Sequence, residues 1–283
     1  MTVEVPPDAV GGTRGGTPRS CDHFADVSAR YRHLRDLDLD AVRLVSGILA
    51  RAAGQARPYR LLDVGTGTGR YLDAVSEDLS STHATDVYPI GLDRSSAMVR
   101  QARRRNECAY PGASHLVSAV ETLPFLAASC DALTCFNAVH HFDVTRFARE
   151  AARVLTPAGH LVLYTRTAEQ NCRTIWGRYF PDFATLENRL HTVATLRETL
   201  HATRAFASVD VHTIRWRVTT SLSRLREQVT SYHYSTFRFY SPDRLQAALD
   251  TFERRVRGMV RDGSRITFDN DHVLVVAQRT AAV

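Results

Sequence analysis

The sequence contains no lysine. All 36 of its basic residues are arginine and 30 residues are acidic, so the formal net charge is +6. A basic balance is typical of proteins that bind nucleic acid or anionic substrates. The arginine clusters at Arg103–Arg105 and Arg254–Arg255 are interpreted as solvated helix faces. The net charge alone therefore identifies no binding patch.

Cysteine is scarce, and long apolar runs are absent. The five cysteines form no CxxC pair and no zinc-like spacing with histidine. An odd number of cysteines without a secretion signal favours reduced thiols. No apolar run approaches the roughly 20 residues of a membrane helix. We therefore expect a cytoplasmic protein with no membrane span and no metal site.

The 283 residues are enough for one large α/β domain with insertions, or for two small domains. Residues 1–20 are rich in proline and glycine and contain no apolar segment of the kind found in signal peptides. We predict a disordered tail over residues 1–20 and one domain over 21–283.

A glycine-rich stretch from Leu61 to Arg70 (LLDVGTGTGR) organises the chain. It predicts a buried strand, a sharp turn on Gly65, Gly67 and Gly69, and then a helix. The first turn of that helix favours a carboxylate or a phosphate. Dinucleotide-binding enzymes use a similar turn, so the glycines alone do not identify the ligand. Asp63, two residues before the first glycine, suits the ammonium group of an amino-acid-like ligand.

Three further blocks follow in order: Gly91 to Met98 (GLDRSSAM), Glu121 to Phe125 (ETLPF) and Arg153 to Leu161 (RVLTPAGHL). With the glycine turn, they make residues 20–167 resemble the class I methyltransferases that depend on S-adenosylmethionine (SAM). The similarity is to the small-molecule branch, methyltransferase type 11, which includes the ubiquinone/menaquinone C-methyltransferases. The resemblance implies a Rossmann-like seven-stranded α/β sheet with helices on both faces. It also implies SAM as cofactor and S-adenosylhomocysteine (SAH) as its product.

The resemblance assigns roles to residues of the first two strands and of the preceding helix. Asp93 would accept both ribose hydroxyls, and Asp86 is a rival because it also adjoins an apolar run. We prefer Asp93, since Ser95 and Ser96 can cap the helix that follows it. The set implied for the cofactor also includes Tyr31, Arg35, Thr66, Arg94 and Met98. In this set Tyr31 and Arg35 would reach the cofactor carboxylate. Met98 would cover the ribose or the adenine.

The third and fourth strands supply the remaining cofactor residues. Relatives hold the adenine amino group with an Asp at the position of Ala119, so this contact is expected from backbone N–H groups near Val120 and Glu121, or from Ser118. The fourth strand ends at Asn137, where class I enzymes face both the methyl group and the acceptor.

Methyl transfer from a sulfonium needs alignment of the reactants and exclusion of water, and a base only when the acceptor must lose a proton. His140 and His141 follow the fourth strand and titrate near neutral pH. Because adjacent residues of a strand or loop point apart, we expect only one of them to face the pocket. Tyr234, with His233 beside it, is a further candidate base.

The resemblance is looser beyond Thr165. Two insertions rich in aromatic residues, about 168–195 and 219–262, are predicted to form a mostly helical lid over a cofactor core at about 55–167. Predicted strands include His115 to Val120, His160 to Tyr164, Val209 to Val218 and Arg265 to Gln278. A helix is predicted over residues 22–50.

The function expected is methyl transfer to a small organic acceptor, such as a natural-product intermediate, with anionic or aromatic character, by a monomer or a homodimer. An RNA methyltransferase is the main alternative, although no RNA-binding module is recognised. A SAM-binding scaffold or regulator without catalysis and an NAD-linked oxidoreductase are the others.

Overall fold

The computed structural model describes residues 36–53, 58–109, 112–260 and 263–281. Its seven strands are β1 Tyr59–Val64, β2 Val87–Asp93, β3 Ser114–Val117, β4 Cys130–Phe136, β5 Leu155–Thr165, β6 Phe206–Thr220 and β7 Ile266–Arg279. They form one sheet in the order β3-β2-β1-β4-β5-β7-β6. The first five strands are parallel, and β7 is antiparallel to both of its neighbours. The predicted seven-stranded α/β sheet is confirmed.

The helices flank the sheet or lie in the insertions. They are α1 Leu39–Ala52, α2 Arg70–His83, α3 Ser96–Ala109, α4 Val144–Val154, α5 Ala168–Arg173, α6 Ile175–Tyr179, α7 Phe183–Leu186, α8 Val193–Ala202, α9 Leu222–Thr230 and α10 Pro242–Arg257. Short 3₁₀ turns span Val139–His141 and Ser235–Phe239.

Alternation along the strands gives the sheet two apolar faces. Leu62 and Leu133 belong to a core that contains residues of α4 and α8, whereas their neighbours Leu61 and Ala132 belong to a core with α1 and α2. Successive side chains of a strand point to opposite faces, so continuous apolar strands require helices on both sides.

Several predicted boundaries are wrong. β3 stops at Val117 rather than Val120, because β2, its neighbour in the sheet, ends at Asp93, the partner of Val117. β5 begins directly after α4 instead of at His160, since Leu155 already pairs with Cys130 across an irregularity in register. Of the helix predicted over 22–50, residues 22–35 lie outside the described part of the chain, and α1 begins at Leu39.

The β6-β7 hairpin extends past the end of β5. β7 pairs with β5 only from Val273 to Gln278 but with β6 from Ile266 to Arg279. Residues 266–272, with their β6 partners, therefore project beyond the carboxyl edge of the parallel strands. β6 is longer than the predicted Val209 to Val218, whereas β7 agrees with the predicted Arg265 to Gln278 to within one residue at each end.

The two insertions pack on each other through one apolar cluster that includes Trp176, Phe180, Leu225, Phe237 and Phe252. The Trp176 and Phe252 rings stack with their centroids 4.9 Å apart. This cluster, together with α5–α7 and α9–α10, is called the lid below. Its action as a cover over a substrate stays a prediction.

None of the helices in the described residues has the length and apolar character needed to cross a bilayer. Within the same residues, no group of three or more His, Cys, Asp or Glu side chains is placed to hold a metal ion.

Candidate active site

A large cavity lies where the carboxyl ends of the parallel strands meet the lid and the β6-β7 hairpin. Its empty volume is about 1800 Å³, including the part that opens to solvent. The position matches the rule that open α/β sheets bind ligands outside the carboxyl ends of their strands.

The turn after β1 requires glycine. Gly65 has φ +65°, and a Cβ there would lie 2.5 Å from Cβ of Ala138. Gly69 has φ +77°, and a Cβ there would lie 2.9 Å from Nε2 of His115. Both glycines thus combine a left-handed backbone with close packing. The helix that follows has no side-chain cap at Gly69, so N–H groups of its first turn stay available to a ligand.

Asp93 faces the cavity from the end of β2. Its Oδ2 accepts a hydrogen bond from Gly67 N–H and its Oδ1 accepts one from Ser95 N–H, both at 2.8 Å. Burial raises the pKa of this carboxyl, and the backbone donors oppose that effect. Each oxygen retains a lone pair, so the carboxylate can still accept two hydroxyls of a ligand. Asp86, the alternative acid, precedes β2 at the opposite end of the strand.

Asp63 is placed differently from the prediction. Its side chain is 1% exposed and is not part of the cavity lining, and its Oδ1 accepts a hydrogen bond from Thr134 Oγ1 at 2.8 Å. Burial raises its pKa to about 7. Thr66 and Gly69 also lie outside the lining, since the turn faces them toward β2 and His115. The predicted direct contact between Asp63 and an ammonium group is therefore not supported by this geometry.

Most of the other predicted cofactor residues meet in the cavity. The lining includes Gly65, Gly67, Asp93, Arg94, Met98, Val120, Glu121 and Asn137, together with Ala119. Tyr31 and Arg35 lie outside the described residues. The sequence pattern thus identified one wall of the cavity, while the roles of these residues remain predictions.

Both His140 and His141 line the cavity, so the expectation that only one would do so is wrong. They lie in a 3₁₀ turn, where successive side chains are about 120° apart. Neighbouring side chains therefore do not point to opposite faces as they do in a strand, and both can reach the same cavity. Nη1 of Arg189 lies 3.4 Å from Nδ1 of His141. Because a guanidinium only donates, Nδ1 is the acceptor, and a neutral His141 carries its proton on Nε2. His141 is thereby suited to donate a hydrogen bond through Nε2.

The lid contributes Tyr234, as predicted, and Glu187, which follows α7, lines the cavity as one half of an ion pair that the sequence did not suggest. Glu187 Oε1 accepts from Arg189 Nε at 2.8 Å, and its Oε2 accepts from Thr236 Oγ1 at 2.5 Å. Burial alone would raise the pKa of Glu187, but these bonds hold it below its usual value. Glu187 is therefore an ionised anchor that fixes Arg189 beside His141.

Several other lining residues were missed in the sequence. They are Arg70, Arg166, Asn171, Trp216, Gln228, Asn270 and His272. Arg166 carried a usable signal, because it directly follows a parallel strand and so falls at the edge where ligands bind. The hairpin residues carried none, since the length by which β6 and β7 project depends on pairing across the sheet.

Comparison with known proteins agrees with this geometry. A family model described as a methyltransferase domain matches residues 62–163. Probable tRNA methyltransferase 9B of Bos taurus is 32% identical over 164 residues, which cover 54% of this chain and 33% of that protein. Demethylmenaquinone methyltransferase of Deinococcus radiodurans is 36% identical over 147 residues, 50% of this chain and 57% of that protein. The chain thus spans well under two thirds of the length of these relatives.

Among solved structures, a protein described as a methyltransferase from an antibiotic biosynthesis pathway of Anabaena variabilis superposes with a TM-score of 0.59. The identity is 17%, and the match covers 82% of this chain and 96% of that one. At this identity the similarity concerns the fold alone. Residues 62–163 therefore match the model of a methyltransferase domain, and the chain shares the Rossmann-like fold of a solved methyltransferase.

Proposed function

We propose that the chain transfers a methyl group from SAM to a small organic acceptor bound between the sheet and the lid. The observation that carries this proposal is a cavity that has Asp93 and the glycine turn on one side and aromatic lid side chains on the other. Such a cavity can hold a cofactor and an acceptor side by side and keep water away from both.

The residues present fit SAM. The Asp93 carboxylate is fixed by two backbone donors and can accept a ribose diol. Met98 and the Ala119–Glu121 segment provide apolar cover and backbone groups for an adenine. The uncapped first turn of α2 suits the carboxylate of the amino-acid part. A Cβ at Gly65 would fill part of this cradle.

The bound cofactor would supply an electrophilic methyl group attached to a good leaving group. The protein's own residues would hold the acceptor in line with that methyl and exclude water. His140 accepts the proton of an acceptor that must lose one, and His141, held by Arg189, donates a hydrogen bond through Nε2. Tyr234 approaches the same space from the lid.

Calorimetry with SAH tests the cofactor part of this proposal. Asp93→Ala should weaken SAH binding by at least about 100-fold, since it removes two charge-assisted hydrogen bonds worth roughly 1.5–3 kcal/mol each. Asp210→Ala is the matched control, because Asp210 is exposed on β6 and outside the cavity lining. No SAH binding by the folded wild-type protein, or equal affinity in Asp93→Ala, would remove the proposal.

An RNA acceptor is the second candidate, favoured by the relatives whose names specify tRNA and by the net charge of +6. It requires tRNA binding that weakens steeply with salt. Filter binding with unmodified tRNA at two salt concentrations decides between the candidates. Tight binding with a steep salt dependence would replace the small-molecule proposal.

A further inference from the structure

Arg166 follows the last residue of β5 and lines the cavity, although its side chain is only 7% exposed. Its partners on β7 are a backbone carbonyl oxygen, a side-chain amide oxygen and an imidazole nitrogen. Nε donates to the Asp271 carbonyl at 3.4 Å, and Nη2 lies 3.5 Å from Asn270 Oδ1 and 3.3 Å from His272 Nε2. These contacts are long, and none of them involves Nη1.

The carboxylate of Asp271, the residue whose carbonyl accepts from Arg166, forms ion pairs with two other arginines. Asp271 Oδ2 accepts from Arg173 Nε at 3.1 Å, and its Oδ1 accepts from Arg215 Nε at 2.8 Å. Across the described ranges, no carboxylate lies within the 4.0 Å of an ion pair with Arg166. A buried charge without a counterion is costly, and proteins normally pair such groups. Arg166 therefore has the environment of a residue that awaits an anion.

The surroundings of Arg166 show which ligand could bring that anion. The projecting hairpin presents Trp216, Val218 and Phe268 to the cavity as an apolar wall, with Asn270 and His272 next to Arg166. β5 is three strands from β2, so Arg166 and Asp93 are separated by roughly 14 Å across the sheet at about 4.8 Å per strand. Arg166 thus lies at the end of the cavity away from the residues proposed for the nucleoside.

We propose that Arg166 binds an anionic group, a carboxylate or a phosphate, of the methyl acceptor, whose apolar body packs against the hairpin. This assignment deepens the proposed function and rests on it. A guanidinium binds either oxyanion through parallel N–H donors. Arg166 then selects anionic over neutral acceptors of the same shape.

The test uses three probes that share an aromatic ring: phenylacetate, phenyl phosphate and the neutral phenylacetamide. Their binding is measured by calorimetry or by NMR line broadening on the full chain, both with and without saturating SAH. The variants are Arg166→Gln and Arg166→Lys. Arg215→Gln is the matched control, because it removes a nearby positive charge that pairs with Asp271 and lies outside the cavity lining.

In the wild-type protein and Arg215→Gln, we expect at least one anionic probe to bind about tenfold more tightly than phenylacetamide. Arg166→Gln should lose this preference, Arg166→Lys should retain part of it, and SAH affinity should be unchanged in both. Phenylacetate and phenyl phosphate distinguish the two sources of negative charge. Comparing both variants by circular dichroism excludes misfolding as the cause.

The proposal is overturned if the wild-type protein shows no preference for the anionic probes, or if Arg166→Gln keeps it. A loss of SAH affinity in Arg166→Gln would also overturn it, because Arg166 would then serve the cofactor. The measurement without SAH separates this site from the proposed function. If the wild-type protein fails to bind SAH yet prefers anionic probes through Arg166, only the methyltransferase proposal fails.

Discussion

Asp63 and Asp93 end two neighbouring strands, yet their surroundings give them different properties. Asp93 faces the cavity with two backbone donors on its carboxylate, whereas Asp63 is enclosed beneath the glycine turn with Thr134 as its hydrogen-bonding neighbour. An acid at the end of a strand can therefore either face a ligand directly or support the turn that faces the ligand. The sequence pattern at these two positions did not separate those outcomes.

The pKa of Asp63 predicts how stability depends on pH. Its ordinary value is 3.8, and burial raises it to about 7 in the folded state. Between these values the unfolded chain has lost the proton and the folded chain has kept it, so the free energy of unfolding falls as pH rises from about 4 to about 7. Asp63→Asn, which stays neutral, should reduce this fall by roughly 1–4 kcal/mol in urea unfolding measured at pH 5 and pH 8. Asp210→Asn should leave the profile unchanged, and an unaltered profile in Asp63→Asn would contradict the assignment.

Gly65→Ala tests the glycine turn. Because φ is +65° and the new Cβ would lie 2.5 Å from Ala138, the change should lower the free energy of unfolding by about 1–3 kcal/mol. The distorted turn should also weaken SAH binding by at least the same free energy. Gly47→Ala is the control, because a Cβ in the middle of α1 would meet nothing closer than 4.0 Å. That variant should be about 0.5–1 kcal/mol more stable than the wild-type protein. Equal effects of the two changes, by thermal unfolding and calorimetry, would show that the turn is not constrained.

At the scale of elements, the lid has an aromatic core of its own. Phe252 of α10 is 0% exposed, stacks on Trp176 and is not part of the cavity lining. Trp176 and Tyr234 of the same cluster reach the cavity, so the lid both packs internally and lines the site. Lid stability and ligand contact are therefore carried partly by different residues.

Phe252→Ala should destabilise the lid by about 3–5 kcal/mol, since it leaves a cavity in a closed core. We expect faster proteolysis within residues 168–260 and nearly unchanged SAH affinity. Met259→Ala, at a position 46% exposed just after α10, should have little effect. If Phe252→Ala loses SAH binding at a temperature where the protein is folded, then SAH binding depends on the packing of the lid, contrary to this prediction.

The sequence predicted the elements that local patterns determine. The glycine turn, the acid at Asp93 and the continuous apolar strands depend on neighbouring residues, and these predictions agree with the fold. The position of Arg166 against β7 depends on pairing between residues more than 100 apart, which periodicity does not record. The shared orientation of His140 and His141 was missed because the 3₁₀ turn has no distinct sequence signal.

At the scale of the whole molecule, the strand order brings these pieces together. β1 lies between β2 and β4, so the ends of these three strands form adjacent parts of one edge, and β5 extends that edge toward the hairpin. Residues of the lid and of the hairpin line the same cavity along that edge. One cavity consequently holds a proposed nucleoside site near Asp93 and a proposed anion site at Arg166.

The most direct test is a crystal structure of the full chain with SAH. We predict the ribose hydroxyls within hydrogen-bonding distance of Asp93, the adenine beside Met98 and Val120, and the sulfur facing the space between His140 and Tyr234. SAH bound outside this cavity, or bound with its ribose away from Asp93, would contradict the central claim.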